Sequence, residues 1–369
     1  GDFDPGSGEA NLTAHGNGYD VFVSKLDSSG NYLWAKGFGG GGDADHDYGH
    51  SVAVDSSGNV YTTGVFEGTA DFDPGSGVAE LTANQASAAT KPDVFVLKLD
   101  SSGNYLWARS FGSTNNDYSY SVAVDSSGNV YTTGYFDGTV DFDPDPDPSA
   151  TAELTSNNRD VFVSKLDSLG NYVWARSFGS YGTDYGSSVA VDSSGNVYTT
   201  GHFSNTVDFD PDPLATADLT SNGSYDVFVS KLDSSGNYVW AKGFGSAGND
   251  YVESVAVDSS GNVYTTGSFS NTTVDFNPDP DPLATADLTS NGCSDVFVSK
   301  LDSSGNYLWA RNLGGSSCED VYSLALDSSG NVYTAGRFSS TADFDPDPDL
   351  SATADLTSNG SYDVFVSKL

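Results

Sequence analysis

The chain has 369 residues, of which 14 are Lys or Arg and 51 are Asp or Glu, giving a formal net charge of −37. So much negative charge repels a phosphate backbone and argues against a nucleic-acid partner. No run of about 18 apolar residues is present to insert in a membrane as a helix, and 42 Gly with 21 Tyr, 21 Phe and 5 Trp is the composition of aromatic-filled sheets joined by turns.

The chain opens at Gly1, without Met and partway through a repeat, which reads as a processed or excerpted product. Residues 1–39 supply an insertion, a strand from Asp20 (DVFVSKL) and a strand holding Trp34. The DVFV string returns at Asp93, Asp160, Asp226, Asp295 and Asp363, every 66–73 residues, a period that suits one propeller blade carrying an insertion. Complete units are expected over 51–112, 121–179, 187–245 and 254–314, and a partial one over 323–369. Each has four alternating segments, for example SVAVD (121–125), NVYTTGYF (129–136), DVFVSKL (160–166) and NYVWARSFG (171–179), which read as strands. The loop DSSGN, or a near variant, closes both hairpins, its Gly free to take the left-handed conformation. No helical periodicity occurs. The expected fold is all-β: one domain, a β-propeller of four-stranded antiparallel blades, five or five and a half. The two partial ends together carry one strand too many for a five-bladed ring.

Trp34, Trp107, Trp174, Trp240 and Trp309 recur at one position of the fourth strand, as expected of packing between blades; ligand stacking is the alternative. Eleven of the 14 basic residues stand at two strand positions: Lys25, Lys98, Lys165, Lys231, Lys300 and Lys368, and Lys36, Arg109, Arg176, Lys242 and Arg311. Structural ion pairs with Asp55, Asp125, Asp192, Asp258 and Asp327 are the expectation.

The strings DSSGNVYTTGYF, VDFDP, LTS and DVFVSKLDSSGNYLWA resemble the bacterial SBBP β-propeller repeat family over essentially the whole chain. The resemblance implies a secreted or cell-surface protein, with display and scaffolding as its role, and implies no shared catalytic activity.

After the second strand, Asp alternates with Pro: Asp141, Asp143, Asp145 and Asp147; Asp208, Asp210 and Asp212; Asp275, Asp279 and Asp281; Asp343, Asp345, Asp347 and Asp349. Carboxylates in such runs are candidate Ca²⁺ ligands, although the EF-hand spacing is missing and solvated Asp-Pro turns account for the same pattern. His46 and His50, beside Asp43, Asp45 and Asp47, form either a metal cluster or a solvated Gly-rich loop. Cys293 and Cys318 fall at facing ends of one hairpin, which argues for a disulfide and an oxidising compartment against two free thiols. Sequons at Asn11, Asn222, Asn271 and Asn359 mark surface and offer N-glycan acceptors.

Neither a Ser/His/Asp order nor a phosphate-cradling GxxxxGK is found, and the expectation is a protein that is not an enzyme. Three readings follow: an extracellular scaffold assembling head-to-tail into a homopolymeric filament through its partial ends, a cell-surface adhesin or glycan-binding module, and, weakest, a propeller lyase or hydrolase. Unlike loops on one rim would favour binding; the insertions resemble one another, and the segments SVAVD and SLALD are nearly uniform.

Overall fold

The computed structural model describes all residues except 17, 43–45, 85–90, 146–150, 271–272, 279–284 and 347–353. Among the described residues every regular element is a β-strand, as alternation and the β-branched and aromatic content dictate. The chain divides into two compact units, Gly1–Ser177 and Phe178–Leu369.

The first unit has a sheet in which Val21–Leu26 pairs with Tyr32–Gly40, which pairs in turn with a later hairpin, and two four-stranded antiparallel sheets in sequential order. These are Tyr48–Val54, Val60–Phe66, Asp93–Leu99 and Tyr105–Phe111, then Tyr118–Val124, Val130–Asp141, Glu153–Leu166 and Tyr172–Phe178. The second unit has one more, Tyr185–Val191, Val197–Phe203, Asp226–Leu232 and Tyr238–Phe244, then a six-stranded sheet that begins Asp250–Val257, Val263–Phe269, Asp295–Leu301 and Tyr307–Gly315. It also has a three-stranded sheet, Glu319–Leu326, Val332–Phe338 and Asp363–Lys368. The repeat phase and strand order are those expected. Each first strand starts earlier than its SVAV motif, however, because a bulge admits an extra residue. In one sheet the register shifts between Thr133 and Gly134. A Cβ on Gly134 would overlap the Tyr118 carbonyl oxygen, so the Gly of YTTG is needed where the bulged strand crosses it.

The DSSGN turns are built by their aspartates. Asp100 Oδ1 accepts N–H bonds from Ser102 (2.8 Å) and Asn104 (2.9 Å), and Oδ2 accepts the Asn104 amide (2.8 Å). These bonds hold the carboxyl below its usual range.

Successive sheets within each unit pack face to face. In one cluster Trp107, Val94 and Val96 of one sheet meet Val122, Val130 and Phe162 of the next. Trp107 and Trp240 are buried as expected, and each indole N–H crosses to the next sheet's turn, donating to Ser168 O and Ser303 O at 3.2 Å. The basic residues depart from expectation. Lys98 donates to Ser168 O at 2.9 Å and lies over the Tyr61 ring, 4.9 Å from its centroid. Lys231 repeats this with Ser303 O and Tyr198. Arg109 donates to Gly170 O at 2.9 Å and stacks over Trp107. Of the expected ion pairs, Lys300 with Asp258 forms, at 4.0 Å. The physical reason for the departure is that Asp125 and its counterparts are already filled by an Asn amide and a Tyr hydroxyl. A nearly buried lysine is satisfied instead by a carbonyl and a ring face.

This packing explains the turn glycines. Gly170 has φ of 82°, and a Cβ there would lie 2.9 Å from Trp107. Gly30 has φ of 80° but would meet nothing within 4 Å. Gly30→Ala should therefore cost only the backbone penalty, about 1 kcal/mol, and Gly170→Ala roughly twice that or more. Urea melts of both variants decide it, and equal losses would mean the indole contact contributes nothing.

The insertions are short hairpins, such as Thr69–Asp71 with Glu80–Thr82. Two of them pair with the last strand of the preceding repeat: Gly39 faces Asp71, and Gly314 faces Asp343. In the complete repeats the Phe of the DFDP-type motif points inward. Phe72, Phe142, Phe209 and Phe276 are essentially fully buried. Phe142 sits among Phe111, Phe136 and Phe162, with ring centroids 4.9, 5.5 and 5.3 Å away.

Candidate functional site

Each sheet has a uniform end, made of the DSSGN turns, and a variable end where the first strand begins, the second ends and the third begins. Strand register places the variable residues side by side: Tyr48 opposite Val65, Tyr118 opposite Tyr135, Tyr185 opposite His202, Tyr251 opposite Ser268, and Asp320 opposite Arg337. Two residues after each of these first-strand residues stand His50, Tyr120, Ser187, Glu253 and Tyr322. The near-uniform SVAV segments hide this variation, because the varied residues precede them. Comparing the repeats column by column immediately ahead of SVAV would have found them.

In the first unit these positions form an aromatic stripe. Tyr19, His46 and Tyr48 touch ring to ring, with centroids 5.0 to 6.3 Å apart. The stripe continues through His50 and Tyr118, nearly parallel to their neighbours, to Tyr120 and Tyr135. Arg159 lies 5.0 Å above Tyr135. Glu67 Oε2 accepts the His46 backbone N–H at 3.1 Å. His50 Nδ1 bonds to Ser119 O at 2.7 Å. His46 and His50 thus take part in ring packing; Asp43 and Asp45 lie outside the described residues.

In the second unit His202 stacks on Tyr185 and meets Tyr225 and Tyr251 edge to face. Burial pushes its pKa down to about 4, so it is neutral at physiological pH. Arg337 pairs with Asp320 at 2.7 Å and lies over the rings of Tyr362 and Tyr322. Glu253 touches solvent but is crowded by protein, and desolvation, with Asp320 nearby, raises its pKa to about 7.

Beneath the variable end lies a carboxylate pair that the sequence reading missed. The Asp that opens DVFV is buried beside an acidic residue at the start of the next first strand: Asp93 with Asp117, Asp226 with Asp250, and Asp295 with Glu319. Asp117 is filled, accepting N–H bonds from Ser113 and Asp137. Asp93 Oδ2 accepts from Asn84, but its buried Oδ1 has no hydrogen-bond partner among the described residues. Burial is the main cause that raises Asp93 to about 7 and Asp117 to about 6. The recurring acid was legible; its burial was not, since DSSGN aspartates look alike in sequence and stay near the surface.

The Asp-Pro residues form a ladder of turns. Asp141 Oδ1 accepts N–H bonds from Asp143 (3.0 Å) and Ala152 (2.8 Å). Asp208, Asp275 and Asp343 do the same in their own loops. Asp145 donates its N–H to Asp143, Asp212 to Asp210, and Leu214 to Asp212. Asp345 follows Asp343 in the same way. Asp147, Asp279, Asp281, Asp347 and Asp349 lie outside the described residues. Among the described residues no group of three or more His, Cys, Asp or Glu is arranged to hold a metal ion.

Cys293 and Cys318 are joined in a disulfide, with Cα atoms 5.1 Å apart. The backbone brings them together, since Cys293 N–H donates to Ser317 O and Ser294 bridges to Cys318. Asn11, Asn222 and Asn359 are exposed, and Asn271 lies outside the described residues.

Four segments, 34–65, 106–139, 173–202 and 239–276, match the model of the SBBP β-propeller repeat. The chain is 26% identical over 332 residues to an uncharacterized WD repeat-containing protein of Acanthamoeba polyphaga mimivirus, covering 77% of this chain and 23% of that protein. It is 30% identical over 172 residues to the regulatory protein FlaEY of Caulobacter vibrioides, covering 46% of this chain and 17% of that protein. The chain therefore spans less than a quarter of the length of these curated relatives. Among solved structures, it is similar to a protein of unknown function from Bacteroides caccae (9% identity, TM-score 0.36, covering 80% of this chain and 91% of that one). It is also similar to the Pan2 WD40 domain of Neurospora crassa (11% identity, TM-score 0.27, covering 78% and 86%). With the same four segments, turns and insertions recurring through its sheets, the chain carries four SBBP β-propeller repeats between residues 34 and 276.

Proposed function

We propose that the chain is an extracellular structural scaffold that associates with copies of itself through the apolar faces of its partial sheets. One observation supports this reading above the others. Val296 and Val298 of a complete repeat are fully buried, covered by the next sheet, whereas their counterparts Val364 and Val366 are 79% and 71% exposed. Val52, at 59% exposure against 6% for its counterpart Val122, repeats the pattern in the first unit. A sheet face built to receive another repeat is a template for the same element of a second chain. A head-to-tail contact of this kind propagates as a filament unless it closes. In this reading the repeats make five blades, with the third strand present twice. Secretion, Ca²⁺ on the Asp-Pro loops and glycans on the sequons belong to the same proposal.

Sedimentation of the intact chain over a wide concentration range tests it. The expected result is assembly that grows with concentration and is abolished both by deleting residues 1–26 and by Val364→Lys with Val366→Lys, exposed positions where lysine costs the fold little. An intact chain that stays monomeric, or charged variants that assemble as well as the parent, would rule the scheme out.

A further inference from the structure

Positions common to all repeats build the fold, so side chains on which one repeat departs from the rest, gathered in one place, mark what that place does. Two such residues, His46 and Glu67, stand together in the first unit with Tyr19 and Tyr48, whose rings recur in other repeats as Tyr225 and Tyr362 and as Tyr118, Tyr185 and Tyr251. The rings are tilted by 34 to 49° to one another, and Tyr19 and Tyr48 are 63% and 43% exposed. A half-buried carboxylate, Glu67, stands at the same spot, tied to the His46 backbone.

The molecule shows elsewhere what it does with a tyrosine ring beside a carboxylate. Arg337 lies 4.5 Å over Tyr362 while paired with Asp320, and Lys98, Lys231 and Lys300 each lie over a tyrosine. The residue of the first unit that corresponds to Arg337 is Val65. Among the described residues no lysine or arginine lies over Tyr19 or Tyr48. Tyrosine faces attract cations through the ring quadrupole, a carboxylate supplies the counter-charge, and a net charge of −37 concentrates cations near the surface.

We propose that Tyr19, Tyr48 and Glu67 form a binding site for an organic cation, an alkylammonium head presented either free or at the end of a side chain. Anionic ligands are repelled by the same field, and an uncharged ligand of equal size gains only apolar contact.

The test is a titration of the intact chain followed by NMR shifts of the tyrosine rings, with choline, its uncharged carbon isostere 3,3-dimethylbutan-1-ol, and a short peptide carrying trimethyl-lysine. Saturable binding of choline, of the peptide, or of both, about tenfold tighter than the isostere, is expected; whichever binds tighter tells a free from a chain-borne head. Tyr48→Leu should weaken binding about fivefold and Glu67→Gln about threefold, while Tyr48→Phe, which keeps the ring, should leave it nearly unchanged. Should Tyr48→Leu fail to fold, the more exposed Tyr19→Leu takes its place. Equal affinity for the isostere, no saturation by either cation at tens of millimolar, or unchanged binding in a folded ring-deleted variant would overturn the proposal.

Discussion

Acidification from about pH 8 to about pH 5 is expected to raise the melting temperature of this protein, by on the order of 10 °C. The cause is the row of buried carboxyls beneath the variable end. Burial raises Asp93 and Glu319 to about 7 and Asp117, Asp184 and Asp250 to about 6, while in the unfolded chain such groups titrate near 4. Between those limits the folded state binds more protons than the unfolded one, so stability falls as pH rises through the window and recovers on acidification. Each pK unit is worth about 1.4 kcal/mol, and paired acids titrate together, so the summed effect is several kcal/mol. Below about pH 4 the sign reverses. The hydrogen-bonded turn aspartates, Asp100 and Asp125 among them and Asp327 held at about 2, have lowered pKa values. Their stabilisation is present above the unfolded value and is lost as pH falls. The optimum therefore lies near pH 4 to 5. Acid also relieves general repulsion, and Asp93→Asn separates the two effects. It should raise the melting temperature at pH 8 and change little at pH 5. Calorimetry at fixed ionic strength showing a melting temperature that drops from pH 8 to pH 5 would refute the account.

Truncating Phe142 to Ala is expected to cost about 3 to 5 kcal/mol, while Asp145→Asn in the same loop costs about 0.5 kcal/mol or less. Phe142 is fully buried against three other phenylalanines, whereas Asp145 is exposed. The DFDP motif then owes its recurrence to an aromatic wedge held by an aspartate-capped turn. Denaturant melts of the two variants with and without Ca²⁺ decide between wedge and ion site. A Phe142→Ala loss below about 1 kcal/mol, or an Asp145→Asn loss that matches it and appears only with Ca²⁺ present, would transfer the role to the carboxylates.

Much of the fold was legible because its determinants are local. Alternation over seven residues, a DSSGN turn whose aspartate bonds its own neighbours, and a Trp at one position per repeat need no distant partner to be read. The disulfide was legible for the same reason: the hairpin between Cys293 and Cys318 fixes their approach. The bulge that moves each first strand back to Tyr48, Tyr118 or Tyr185 was not, because it depends on a glycine in the neighbouring strand.

Sequence by itself determined the repeat, its strand order and its turns, since hydrogen bonds between chain neighbours and a period of two carry that information. Tertiary structure alone decided what the recurring polar residues do. Lys98 bonds a carbonyl and covers a ring, while Asp55 of its own repeat is filled by Asn59 and Tyr61. Asp93 became a buried, protonatable acid while Asp100, seven residues on, became an ordinary turn cap. Both are aspartates at the edges of one strand; the cost of removing charge from water depends on what packs over it, and that is set by the neighbouring sheet.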